Sequence, residues 1–144
     1  MRQIVRAQYA LPLVRETAAA IARGTGVNAE LQARRIRAWL TQHVGFLRDP
    51  YQTEALHTPE GMLTLLGARG WLEVDCDDVA ILGAALGMAV GLRARFVLLG
   101  RDGQYEHVWT ELADPNTDDW RELDITRPYQ SDLSRYPLSL DVEV

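Results

Sequence analysis

The sequence predicts an α+β fold in which helices come first and an antiparallel sheet follows. Three observations predict it. Apolar residues recur at helical spacing in the first third of the chain, residues 79 to 92 are apolar at nearly every position, and short runs rich in β-formers follow Gly91. A helix that is apolar on every side is a buried one, so we expect the central helix to pack on the sheet.

The N-terminal part contains two predicted helices. Pro12 suits the first turn of a helix that runs to about Arg23, and the glycines that follow stop it. Asn28 is then a suitable cap for a second helix over residues 29 to 44. Its apolar face is formed by Leu31, Ile36, Trp39, Leu40 and Val44. This pattern is typical of a packing helix.

The middle of the chain is predicted to cross over the domain before the buried helix begins. Residues 45 to 61 have two prolines and weak periodicity, which indicates a long loop that ends where Thr58 and Pro59 start a short helix. The buried helix begins near Cys76 and ends at Gly91.

The C-terminal part is predicted to form an antiparallel meander. Its strands are RARFVLLG, QYEHVWTEL and WRELDIT, and Arg101, Asp102 and Gly103 form the first turn. Residues 127 to 144 have no clear period, and we leave them unassigned apart from an edge strand.

Composition places residues 1 to 144 in one globular domain, with 47% hydrophobic and 24% charged residues. All fifteen basic residues are Arg, and the lack of Lys excludes a Schiff-base lysine, a P-loop and the chain's own lysines as crosslinking acceptors. A net charge of -5 with scattered arginines argues against nucleic acid as a partner. No segment is long and apolar enough for a signal peptide or a membrane span, so we expect a soluble cytoplasmic protein.

Cys76 is the first candidate for chemistry, because it lies at the start of the buried helix. Unpaired N–H groups and the positive end of the helix dipole favour a thiolate there and could hold an oxyanion. A single cysteine forms no internal disulfide and no thiolate zinc site, and no cofactor is expected. An inert core cysteine is rarely surrounded by carboxylates such as Asp75, Asp77 and Asp78.

The three aspartates have a second interpretation. Asp75 as N-cap, with Asp77 and Asp78 in the first turn, would stabilise the helix whatever the cysteine does. Their charge also raises the pKa of a neighbouring thiol, so an active Cys76 needs a cationic partner.

His107 lies in the middle of the predicted strand QYEHVWTEL, and Asp124 lies in the next strand. Strand alternation puts Tyr105, His107, Trp109 and Glu111 on one face, with Val108 and Leu112 on the other. After a hairpin, Asp124 could come beside the imidazole of His107. A nucleophile, a base and an orienting carboxylate then exist in one fold.

This ordered set resembles the transglutaminase-like domain of the papain-like cysteine protease superfamily. The resemblance covers about residues 34 to 126, and its firmest points are DCDDVAILGAALGMAVGLRARFV, EHVWTEL and the Trp four residues before Asp124. It is closest to bacterial and phage-borne members with a Cys-Asp-Asp core. It departs from the animal crosslinking enzymes, in which a Trp follows the nucleophile where this chain has Asp77.

The resemblance implies a papain-like fold and a Cys-His-Asp triad acting on a peptide or protein amide. Cys76 would attack the carbonyl, His107 would carry the proton and Asp124 would orient His107. We expect hydrolysis, as peptidase or amidase, over acyl transfer, because a small open cleft admits water. The oxyanion would be bound by the N–H of Cys76 and by a second donor upstream, on the long loop.

Three other classes stay open at this point. A strand followed by Asp75 and Asp77 looks like the phosphotransfer motif of haloacid-dehalogenase-type hydrolases, although that family's later Lys is missing. A metal site built from the three aspartates lacks the glycine-bearing loop and distant Glu of a calcium site. The third class is a non-catalytic binding or assembly module. His43 and His57 are expected at the surface, with His57 a residue that could line the cleft, and Trp71, Trp109 and Trp120 in the core or the cleft wall.

Overall fold

Five helices precede a four-stranded antiparallel sheet in the described residues, as the predicted α+β class requires. The computed structural model describes residues 1 to 47, 56 to 126 and 138 to 144. Its helices are α1 (Arg2–Gln8), α2 (Pro12–Ile21), α3 (Ala29–His43), α4 (Pro59–Arg69) and α5 (Cys76–Ala89). Its strands are β1 (Val44–Phe46), β2 (Leu72–Val74), β3 (Arg93–Arg101), β4 (Gln104–Ala113), β5 (Arg121–Glu122) and β6 (Leu138–Glu143). The α+β prediction is confirmed.

Three elements, α1, β1 and β2, were not predicted from the sequence. Helix α1 precedes the first predicted helix, and the loop expected from residue 45 begins instead as strand β1. β1 pairs in parallel with β2, with Val44 opposite Leu72, and both side chains are buried. Strands of three residues are too short for alternation to be visible in a sequence.

Helix α5 is the centre of the core, as its all-round apolar pattern predicts. Every residue from Asp78 to Gly87 is buried. The helix lies against β4, where a Cβ on Gly87 would come within 2.3 Å of Leu112 Cδ2. A residue without a side chain therefore sets the spacing between the helix and the sheet.

The larger sheet is antiparallel and has the strand order β5-β4-β3-β6. The predicted turn between β3 and β4 is present, with positive φ at Asp102 and Gly103. The predicted edge strand is β6, which pairs with β3. Strand alternation is also confirmed: Val108 and Leu112 lie in the main core, and Trp109 packs on the other face with Val97 and Leu99.

The three tryptophans expected in the core or the cleft wall have different surroundings. Trp109 is buried, as predicted. Trp71 is 46% exposed and lies over Gly45, where a Cβ would come within 2.6 Å of the indole. Trp120 lies beneath the guanidinium groups of Arg93 and Arg95. Among the described residues, no helix has the length and apolar character needed to cross a bilayer.

Candidate active site

The start of α5 is fixed by a side-chain cap. Asp75 is in extended conformation, and its Oδ1 accepts a hydrogen bond from the backbone N–H of Asp78 at 3.1 Å. Asp77 and Asp78 lie in the first turn. The capping interpretation of the aspartates is confirmed, and Cys76 is the first residue of the helix.

Cys76 is partly buried, and the backbone of Val108 forms a hydrogen bond to its thiol. The thiol therefore lies against β4 at the residue that directly follows His107. Burial, followed by the charges of Asp77 and Asp75, raises the pKa of Cys76 to about 11. Hydrogen bonds from the backbone of Val108 and of Cys76 itself act in the opposite direction and only partly offset this rise. The expected effect of the carboxylates on the thiol is confirmed.

His107 and Asp124 are in direct contact. Nε2 of His107 donates to Oδ2 of Asp124 at 2.9 Å, and the two side chains are 0% and 1% exposed. Thr126 donates to the other oxygen of Asp124 from its backbone N–H at 2.8 Å and from its hydroxyl at 2.7 Å. Burial opposes ionisation of Asp124, but these hydrogen bonds outweigh it and hold the pKa of the carboxyl below its usual range.

Two helices hold these strands in place. The hydroxyl of Thr110 on β4 donates to the carbonyl of Ala80 on α5 at 2.6 Å, which fixes the helix that begins at Cys76 to the strand of His107. The guanidinium of Arg37 on α3 donates to the carbonyl of Asp124 at 3.2 Å. Leu123 N–H donates to the carbonyl of Thr110 at 2.9 Å. Asp124 is thus anchored through its own backbone and that of its neighbour.

A second histidine–aspartate pair lies at the first turn of α5. Oδ2 of Asp78 accepts from Nδ1 of His57 at 2.6 Å, and Oδ1 accepts from the backbone N–H of His57 at 2.8 Å. The Asp78 side chain is 3% exposed and that of His57 is 52% exposed. The sequence places His57 at the surface or in the cleft wall but gives no reason to pair it with Asp78. One feature of the sequence could have indicated such a pair: Asp78 is a carboxylate at the third position of an otherwise apolar helix, where burial requires a polar partner.

His43 does not contribute to the site, because its Nδ1 contacts the carbonyl of Trp39 within α3. Within the part of the chain that the structure describes, no group of three or more His, Cys, Asp or Glu side chains could hold a metal ion.

A comparison with known families identifies the family of this chain. The family model of the transglutaminase-like superfamily matches residues 15–125, which is most of the chain. The chain therefore belongs to the transglutaminase-like superfamily, and its fold is the transglutaminase-like, papain-like one. A search of curated proteins and a search of solved structures found no match.

Proposed function

We propose that this protein is a cysteine-dependent amide hydrolase, a peptidase or amidase, that works through an acyl-thioester. Cys76 is the nucleophile, His107 the general base and Asp124 the residue that orients His107. One observation carries the proposal. The thiol bonds to the backbone of Val108, and the residue before Val108 bears an imidazole held by a buried carboxylate at 2.9 Å.

The first half of the reaction forms the acyl-enzyme. Sγ of Cys76 attacks the carbonyl carbon of the amide while the thiol proton passes to His107. Because Nε2 of His107 is bonded to Asp124, Nδ1 is the nitrogen that exchanges this proton. The C–N bond then breaks, and His107 returns the proton to the leaving amine, which leaves a thioester on Cys76.

The second half regenerates the thiol. Water attacks the thioester carbonyl as His107 takes one of its protons, and the C–S bond breaks as that proton returns to sulfur. The products are a carboxylic acid and the free thiol. An amine in place of water would give acyl transfer, and it must displace water from the cleft to compete.

The raised pKa of Cys76 makes His107 essential to this chemistry. A thiol with a pKa of about 11 carries almost no thiolate at neutral pH, because burial, Asp77 and Asp75 all oppose ionisation. The imidazole is the group that accepts the proton, and the negative charge of Asp124 stabilises the imidazolium that forms.

An activated ester tests the proposal without knowledge of the natural substrate. The protein is mixed with p-nitrophenyl acetate, and intact mass is recorded alongside release of p-nitrophenol. We expect an acetyl adduct on Cys76 in the wild type, and no adduct in Cys76→Ser or His107→Ala. Adding a primary amine during turnover separates acetate from acetamide as product. Wild-type protein that forms no adduct contradicts the proposal and leaves the non-catalytic binding module.

A further inference from the structure

A pocket of about 230 Å³ lies between α3 and the residues around β5. Four residues of α3 line one side of it, and residues 120 to 122 line the other. The α3 residues are three or four positions apart or less, so they share one face of the helix. None of Cys76, His107 and Asp124 lines this pocket. Pockets for drug-sized molecules hold about 300–1,000 Å³, so this one suits a group of side-chain size.

The pocket combines apolar lining with positive charge. Ala33, which is 3% exposed, and Trp120 contribute apolar surface. Arg34, Arg37 and Arg121 contribute three guanidinium groups. Binding pockets commonly hold the apolar part of a ligand against such a wall, while a few charged groups fix its polar end. The ligand that fits this lining has a short apolar stem and a negative end.

Two of the three guanidinium groups have hydrogen-bond donors to spare. A guanidinium carries five N–H donors. Arg34 forms no hydrogen bond or ion pair with any other residue that the structure describes, and Arg37 forms one, to the carbonyl of Asp124 at 3.2 Å. Arg121, in contrast, is already paired with carboxylates. Arg34 and Arg37 are therefore the groups that can bind a ligand.

The spacing of Arg34 and Arg37 also favours a ligand between them. They are three positions apart on α3, where side chains are neighbours, and like charges at such a spacing destabilise a helix. A carboxylate between them would remove the repulsion and accept paired hydrogen bonds from a planar guanidinium. The bond to the carbonyl of Asp124 already holds Arg37 in position, which lowers the entropy lost on binding.

The negative charges of the pocket favour a ligand with a single charge. Glu30 and Glu122 also line the pocket, so they would repel a phosphate group, whose charge at neutral pH is about −1.5 to −2. A carboxylate carries one charge, and its two oxygens match the fork of a guanidinium. A glutamate side chain has such a carboxylate at the end of a short aliphatic stem, and its size suits the cavity.

We propose that this pocket binds a glutamate side chain of a peptide or protein partner. Arg34 and Arg37 hold its carboxylate, and Ala33 and Trp120 contact its stem. The inference goes beyond the proposed function, because the site takes no part in the reaction of Cys76. Arg37 joins the pocket to the backbone of Asp124, so a bound partner lies next to the segment that carries this residue.

The indole of Trp120 reports on a ligand in this pocket. The chain contains four Trp, and in a proton–nitrogen correlation spectrum the indole N–H signal of Trp120 is the one that Trp120→Phe removes. The titrations use Cys76→Ser protein, so their outcome does not depend on the reaction of the thiol. We expect the peptide acetyl-Ala-Glu-Ala-amide to shift this signal in a saturable manner. The neutral isostere acetyl-Ala-Gln-Ala-amide leaves it unchanged at the same concentrations.

Arg34→Gln and Arg35→Gln are matched variants, because both replace an exposed Arg of α3 and change the net charge equally. Arg35 donates to the carbonyl of Arg23 and does not line the pocket. We expect Arg34→Gln to raise the Kd of the Glu peptide about tenfold, because charged hydrogen bonds are lost. Arg35→Gln leaves this Kd within about twofold, because salt screens an exposed charge outside the site.

The contrary results are distinct. A Glu peptide that leaves the Trp120 signal unchanged at about 20 mM, or a Gln peptide that shifts it equally, overturns the inference. So does an equal loss of affinity in Arg34→Gln and Arg35→Gln, which would mean that net charge alone attracts the peptide. Inorganic phosphate that binds more tightly than the Glu peptide would make the pocket a site for free anions and would also overturn it.

Discussion

Nε2 of His107 donates to Oδ2 of Asp124 across 2.9 Å, and both side chains are shielded from water. The contact joins a residue in the middle of β4 to one just beyond β5. It leaves Nδ1 as the ring nitrogen for the proton exchange with the thiol that we propose. The orientation of the imidazole therefore depends on a carboxylate that has no contact with substrate in the proposed reaction.

Replacing Asp124 by Ala tests this dependence. The imidazole loses the acceptor that sets its tautomer, so acylation of Cys76 by p-nitrophenyl acetate falls about 10²- to 10⁴-fold. The measurement is the rate of p-nitrophenol release under single-turnover conditions. Acylation at the wild-type rate would show that Asp124 does not orient the base.

Asp75→Ala is the matched control, because it removes a carboxylate with a different role. Loss of the cap on the Asp78 N–H lowers the free energy of unfolding by about 1 kcal/mol. The charge of Asp75 raises the pKa of Cys76, so removing this charge does not slow the acylation of Cys76. Urea unfolding should therefore show the loss of stability in Asp75→Ala, while the acylation rate should fall in Asp124→Ala and not in Asp75→Ala. Equal loss of rate in both would contradict the division of roles.

Asp77→Asn lowers the pKa of Cys76 in a His107→Ala background. Burial and the nearby carboxylates raise the pKa of Cys76 to about 11, and Asp77 is the strongest of the charges. The pH dependence of iodoacetamide alkylation reports the change. Glu73→Gln is the control, since Glu73 is an exposed carboxylate of β2 three residues before Cys76. Identical shifts in both variants would mean that net charge, and not the position of Asp77, controls the thiol.

Asp124 makes the stability of the fold sensitive to acid. Burial opposes its ionisation, yet hydrogen bonds from His107 and Thr126 hold its pKa below the unfolded value of about 3.9. Its contribution is fully present above that value and is lost as the pH falls through the folded pKa. Asp124→Asn cannot titrate, so the difference in unfolding free energy between it and the wild type shrinks on acidification below about pH 4. A constant difference would contradict the pKa direction.

Gly87 and Gly83 are a matched pair for the packing of α5. A Cβ on Gly87 meets Leu112 at 2.3 Å, so Gly87→Ala destabilises the fold by about 1–3 kcal/mol. A Cβ on Gly83 meets Leu123 Cδ2 at 3.4 Å, an ordinary contact, and helix propensity favours the substitution. In thermal unfolding, Gly87→Ala should have a lower melting temperature than the wild type, and Gly83→Ala should not. Similar melting temperatures in the two variants would show that α5 and β4 can move apart to accommodate a Cβ without a loss of stability.

The elements with strong periodicity could be predicted from the sequence, and the site only in part. Local patterns predicted the apolar helix α5 and the turn at Asp102. They also predicted that Val108 and Leu112 share one face of β4, which lies in the core. The pairing of His107 with Asp124 needed the order of two strands and a family resemblance. The pairing of His57 with Asp78 could not be predicted, because His57 lies in a segment without periodicity, 21 residues before Asp78.

Strands β1 and β2 show the same limit. Val44 and Leu72 pair across a whole helix, in two strands of three residues each. Non-local parallel pairing leaves no mark in a window of a few residues. The contact of Trp71 with Gly45 follows from the same pairing, because Trp71 directly precedes β2 and Gly45 lies in β1.

The central claim is that His107 activates Cys76, and alkylation with iodoacetamide tests it most directly. The rate is measured against pH in the wild type and in His107→Ala. The account predicts that the wild type reacts at about pH 7 far faster than His107→Ala, because the imidazole accepts the proton of a thiol whose pKa is raised to about 11. In His107→Ala alkylation needs alkaline pH, because burial and the charges of Asp77 and Asp75 still oppose ionisation of the thiol. A wild-type thiol that is as slow as the variant across the whole range would contradict the account.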